Sequence, residues 1–207
     1  MVKTSFCLAI ALGLMAGLTA CRVRVNKDAR GEQKNVQVDT PFGGVHVNTD
    51  QTTAADLGLP VYPGAVASAI DDKNNKSADV HVGFGKWQLR VRTASYESTD
   101  TQDKVAEFYR QALSKYGDVI ACQSSQPVGS PKMTRDGLTC DDDSHHGKVQ
   151  IHSGDVNFDN EDYQLKAGSK RHQHIVGFRT PKPDRTRFSL VSLDLPADVG
   201  KNSGKSD

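Results

Sequence analysis

Three stretches of this 207-residue chain bring oxygen and imidazole groups close enough in sequence to do cation chemistry. Asp141-Asp142-Asp143-Ser144-His145-His146 sets carboxylates beside two imidazoles. Adjacent side chains on a loop rarely converge on one ion without strain, so a charged turn is the plainer reading. Asp155-x-Asn157-x-Asp159-Asn160 has the alternating oxygen spacing of a calcium loop. Asn160 replaces the turn glycine, however, and Lys166 stands where a bidentate glutamate is needed. A polar strand end and turn is expected there. His172-Gln173-His174 places two imidazoles on one face of a strand, a geometry that suits a transition metal or simple exposure to solvent. A metal site requires three of His145, His146, His152, His172, His174 and Asp141 to Asp143 to come within about 2.0–2.2 Å of a common point.

Other chemistry finds less support. The chain has no G-x-S-x-G elbow, Walker loop or H-E-x-x-H pair. Gly83-Phe84-Gly85 begins like a dinucleotide loop, but Gln88 stands at the third glycine position and a strand follows, so it reads as hairpin geometry. Serine, histidine and aspartate are plentiful, yet nothing selects a triad. The reading is therefore non-enzymatic: no catalytic residue, cofactor-binding residue or metal ligand is assigned, and no cofactor is expected. Charge points the same way. With 26 basic and 25 acidic residues the net charge is +1, which excludes a strongly basic nucleic-acid binder. Hydrophobic residues make up 36%, so the core must be modest.

The amino terminus has the pattern of an export signal. Met1-Val2-Lys3 carries one positive charge, and Phe6 to Leu18 is an uncharged apolar run of thirteen residues. Roughly 18 are needed to span a bilayer, so this run reads as the apolar region of a signal peptide. It ends in Leu18-Thr19-Ala20-Cys21, which resembles the lipobox of bacterial lipoproteins. The resemblance implies that the Cys21 thiol takes a diacylglycerol, that cleavage follows before it, and that the new amino terminus is acylated, with palmitate or a similar chain. Only a thiolate is nucleophilic enough for that first step. Cleavage also removes Lys3, so basic and acidic side chains then balance and the lipid must do the anchoring. Arg22, where an aspartate would imply inner-membrane retention, leans toward the outer membrane, facing the periplasm. Cys7 leaves with the signal. Cys122 and Cys140 remain, and a pair in an oxidising compartment is expected to form a disulfide, two buried thiols being the alternative.

The elements that must position these groups follow from periodicity. Arg22 to Lys34 is polar and reads as a tether. Val36–Val38 and Val45–Val47 alternate around Pro41-Phe42-Gly43-Gly44, a hairpin signal. Val80/Val82/Phe84 against Trp87/Leu89/Val91, reversing at Gly85-Lys86, is a second. Between them lie the Pro63-Gly64 turn and a polar turn at Asp71 to Lys76. From Thr101 to Tyr116, Val105, Phe108, Tyr109, Ala112, Leu113 and Tyr116 fall on one face of a 3.6-residue period. Thr99 or Asp100 is the expected cap, and Gly117 the stop. Short alternating runs follow at 118–123, 138–141, 148–152, 163–166, 174–179 and 188–195, and Ala197 to Asp207 has little to bury.

The expected fold is a single small α+β domain: mainly antiparallel sheet with one principal amphipathic helix at about 101–116. The signal peptide would be residues 1–20, the lipidated cysteine and tether 21–34, the globular domain 35–196 and a disordered tail 197–207. Val61-Tyr62-Pro63-Gly64-Ala65 followed by Phe108-Tyr109-Arg110 also resembles a group of bacterial lipoproteins. They pair a YPGA turn with an FYR-type helix in a small α+β domain of no assigned activity. The resemblance covers about Pro41 to Leu195 and implies no catalytic residue. The functional expectation is a membrane-anchored envelope module that binds a protein partner or ligand, or is structural. The alternatives are a metal-binding lipoprotein using the His/Asp clusters and a hydrolase with a dispersed site.

Overall fold

The computed structural model describes residues 21–27, 33–70, 74–141, 161–179 and 184–196. The signal segment, the Asp142–His146 part of the acidic cluster, the Asp155–Asn160 loop, His152, the 148–152 run and the 197–207 tail all lie outside these residues.

Alternating residues build one antiparallel sheet. Its strands are β1 (Arg22–Lys27), β2 (Gln33–Thr40), β3 (Gly43–Thr49), β4 (Val66–Ala67), β5 (Ser77–Phe84), β6 (Trp87–Ser98), β7 (Val119–Gln123), β8 (Gln126–Pro127), β9 (Glu161–Gly168), β10 (His172–Arg179) and β11 (Thr186–Asp194). Their spatial order is β1-β2-β3-β5-β6-β11-β10-β9-β7-β8, and β4 lies beside β6. Both expected hairpins form. Val36 and Val38 face Val47 and Val45, while Val80, Val82 and Phe84 face Val91, Leu89 and Trp87. Because side chains alternate with period two, these pairings stack valines on one face and send histidine, arginine and aspartate to the other.

One helix, α1 (Gln102–Leu113), packs on the sheet, and a single 3-10 turn (Ser114–Tyr116) extends it to Gly117. Val105, Ala106, Tyr109 and Leu113 are buried against Ala94, Leu165, Val176, Phe178, Phe188 and Leu190. The buried arc is rotated toward Ala106 relative to the apolar stripe. Phe108 is therefore only half-buried, a correction to its expected place in the core. The physical reason is the setting of the helix, which turns Ala106 toward the core and leaves Phe108 at its edge, with its ring edge-to-face on Tyr62 at 5.2 Å. The cap also differs. Thr101 occupies it without a side-chain bond, because Asp100 accepts hydrogen bonds from the Tyr62 hydroxyl (2.8 Å) and Lys104 (3.0 Å) instead.

The YPGA and FYR segments prove to be one unit. Ala65 N–H closes the turn on the Tyr62 carbonyl at 3.0 Å, with Gly64 at a φ of 77° that a glycine adopts without cost. The Tyr109 hydroxyl accepts the Tyr62 N–H and donates to the Pro60 carbonyl, both at 3.1 Å. Arg110 donates to the Tyr163 hydroxyl at 3.2 Å.

Two other expectations change. Arg22–Lys27 is a strand and not a free tether: Val23 and Val25 pair with Val38 and Val36, which gives them neighbours they lack in isolation. Leu138 to Asp141 is not a strand. Its backbone is taken up by a turn in which Thr134 N–H reaches the Leu138 carbonyl, and only Gly137 bridges to Ser169. The disulfide forms without strand pairing. Cys122 and Cys140 are bridged across a Cα separation of 5.6 Å and pack with Ile120 and Leu138.

Candidate anchor and polar sheet face

Cys21 is the free cysteine among the described residues, and it is exposed. The strand β1 begins at the next residue, with Arg22 opposite Asp39. The thiol therefore sits at the corner of the sheet.

On the face opposite the valines, the register assembles a row that no single segment contains. His172, Asp194, Arg90, His81, His46, Gln37 and Arg24 are successive cross-strand neighbours through seven strands. The row is laced by hydrogen bonds. His172 Nδ1 lies 2.9 Å from Asp194 Oδ1, and Arg90 grips Asp79 through two bonds of 3.0 and 2.6 Å. His46 Nε2 lies 3.0 Å from Asp39 Oδ1, and Gln37 donates to the other Asp39 oxygen at 2.7 Å. The bond from His46 holds the Asp39 carboxyl below its usual range, and Asp79 raises the Arg90 guanidinium. These pairs are mostly solvent-exposed, so each contributes modestly to stability. Their common effect is to order a polar surface.

Identical triplets explain part of it. Val45-His46-Val47 and Val80-His81-Val82 pair in antiparallel register, so the two imidazoles meet with ring centroids 6.2 Å apart. Beside them Gly44 faces Gly83. A Cβ at Gly44 would lie 3.3 Å from Asp39 Oδ1 and 3.4 Å from His46 Nε2. Glycine therefore leaves the floor open where those two groups converge. Reading sequence for motifs missed this pair; the repeated valine-histidine-valine triplet was the available signal.

His172 and His174 do share a face, as expected, but they are used differently. His172 pairs with Asp194. His174 stacks on Tyr116 with centroids 3.5 Å apart and planes 11° from parallel, and burial lowers its pKa. Asp141 accepts a hydrogen bond from Thr139 at 2.6 Å. Among the described residues no group of three or more histidine, cysteine or acidic side chains is arranged to hold a metal ion. Among the same residues no helix is long and apolar enough to cross a membrane. No family profile, curated protein or solved structure matches the chain.

Proposed function

We propose that this chain is a non-catalytic lipoprotein of the bacterial cell envelope, anchored through Cys21 to the outer membrane and facing the periplasm. Its sheet would present the polar row as a recognition surface to an envelope partner. One observation carries the reading. Cys21 is exposed and unbridged at the start of the sheet, whereas Cys122 and Cys140 are joined to each other. A thiol in that position is available for acylation, and the bridged pair suits an oxidising compartment. The test is metabolic labelling with a fatty-acid analogue. Label should enter the wild-type chain and be lost in Cys21→Ser, and unchanged labelling of Cys21→Ser overturns the proposal.

A further inference from the structure

The anchor lies on the same end of the sheet as the most exposed aromatic residues of the described chain. Phe42 is 83% exposed and Phe84 50% exposed, values unusual for phenylalanine in a folded domain. Their positions follow from register. Thr40, Gly43, Phe84 and Trp87 form the last cross-strand row, and Phe42 sits in the turn between Thr40 and Gly43. Arg22 opposite Asp39 places Cys21 beside Thr40, at the end of the same row. Four strand spacings separate β1 from β6 in this order, so the rim is about 19 Å long. Val23, 62% exposed, lies two residues inside it on the valine face. Two cations flank the aromatics, Arg22 after the cysteine and Lys86 in the turn between Phe84 and Trp87.

We propose that this rim docks into the surface of the phospholipid bilayer. Phe42, Phe84 and Trp87 would enter the interfacial region, with Arg22 and Lys86 reaching lipid phosphates. The proposal rests on the anchoring of Cys21, because continuity with the anchor selects lipid as the occupant. With β1 starting one residue after Cys21, an acyl chain in the membrane holds this row against the headgroups. Aromatic rings with an apolar body prefer that depth, and long basic side chains reach from it to the phosphates. Gly43 in that row has no room for a side chain, since a Cβ there would run into the Gly83 carbonyl and lie 2.7 Å from the Phe84 ring.

The single tryptophan of the chain, Trp87, reports docking directly. The chain from Cys21 onward contains every described element. It is coupled through Cys21 to a maleimide lipid in phosphatidylethanolamine vesicles with a minor share of phosphatidylglycerol, made with and without brominated acyl chains. This arrangement does not depend on whether the cell acylates Cys21, so its failure is distinct from failure of the labelling test. Docking predicts a blue-shifted Trp87 emission that brominated lipid quenches. Phe42→Ser removes a ring from an exposed turn and should leave the thermal melt unchanged. It should lower the docked-to-free ratio by about tenfold, the effect of withdrawing one phenylalanine from an apolar environment. Trp87 emission that is unquenched on tethered protein overturns the proposal. So does a blue shift that appears without vesicles and grows with protein concentration, because a second copy would then be the occupant.

Discussion

Replacing Tyr109 by phenylalanine deletes one oxygen and tests how the helix is tied to the YPGA turn. That hydroxyl is the acceptor for the buried Tyr62 N–H and the donor to the Pro60 carbonyl, both at 3.1 Å, and the Tyr109 ring has no exposed surface. The substituted ring would still pack on Phe188, whose centroid lies 5.4 Å from that of Tyr109, so no cavity opens. What changes is the Tyr62 N–H. A buried donor without a partner costs about 1–3 kcal/mol, while the carbonyl of exposed Pro60 turns to water at small cost. The expected loss is about 2 kcal/mol. For a domain of this size that lowers Tm by roughly 4–8 °C. Urea unfolding followed by Trp87 emission gives the free energy, and an unchanged slope against denaturant shows that only the native contact was lost. Tyr116→Phe is the control. Its hydroxyl donates to the Gly58 carbonyl at 2.7 Å, but Tyr116 is half-exposed and water replaces the bond, so the cost should stay under about 1 kcal/mol. A Tyr109→Phe loss no larger than that of Tyr116→Phe would refute the claim that this hydroxyl couples the two segments.

Three further outcomes are expected. Leu113→Ala, at a site with no exposed surface, should cost about 2–5 kcal/mol, and Phe108→Ala clearly less than a fully buried phenylalanine would, as denaturant melts will show. Replacing both Cys122 and Cys140 by serine should remove roughly 3 kcal/mol by freeing an 18-residue loop in the unfolded chain, and intact mass with an alkylating agent should find no free thiol at these positions in the unreduced wild type. Burial lowers the pKa of His174 from 6.5, so the unfolded chain binds this proton more readily than the native one. Stability from this residue is therefore full above pH 6.5 and falls as pH drops below it. His174→Gln should flatten thermal stability between about pH 7 and the mildly acidic range, and an unchanged slope would contradict the assignment.

Periodicity alone marked the two hairpins and the helix. Val80 to Val91 reads as a hairpin because alternation and the Gly85-Lys86 reversal are both local, and the register matches that reading residue by residue. The helix was legible for the same reason, since Val105, Tyr109 and Leu113 repeat with the helical period. The disulfide followed from counting cysteines, given the oxidising compartment that the amino-terminal sequence led one to expect. What periodicity cannot carry is the identity of the partner. It says that Phe108 and Leu113 lie on the apolar side of a helix, but the setting of that helix on the sheet decides which of them is sealed from water. It shows Val23 and Val25 among charges, too few to bury alone; only the opposing Val38 and Val36 make them a strand.

Tertiary structure alone decided the polar row. His172, Asp194, Arg90, His81, His46, Gln37 and Arg24 are scattered along nearly the whole described chain, and a motif search looks only at neighbours in sequence. The row exists because β11 inserts between β6 and β10, so residues remote in sequence become neighbours at one strand spacing. His172 and His174, which share a face, are nonetheless put to different uses, because residues two apart on a strand meet different partners: His172 pairs with Asp194 and His174 stacks on Tyr116. A sequence records the order of side chains and the faces they share. Which faces meet is set by the pairing of distant strands, where most of the buried area and the backbone hydrogen bonds are gained together.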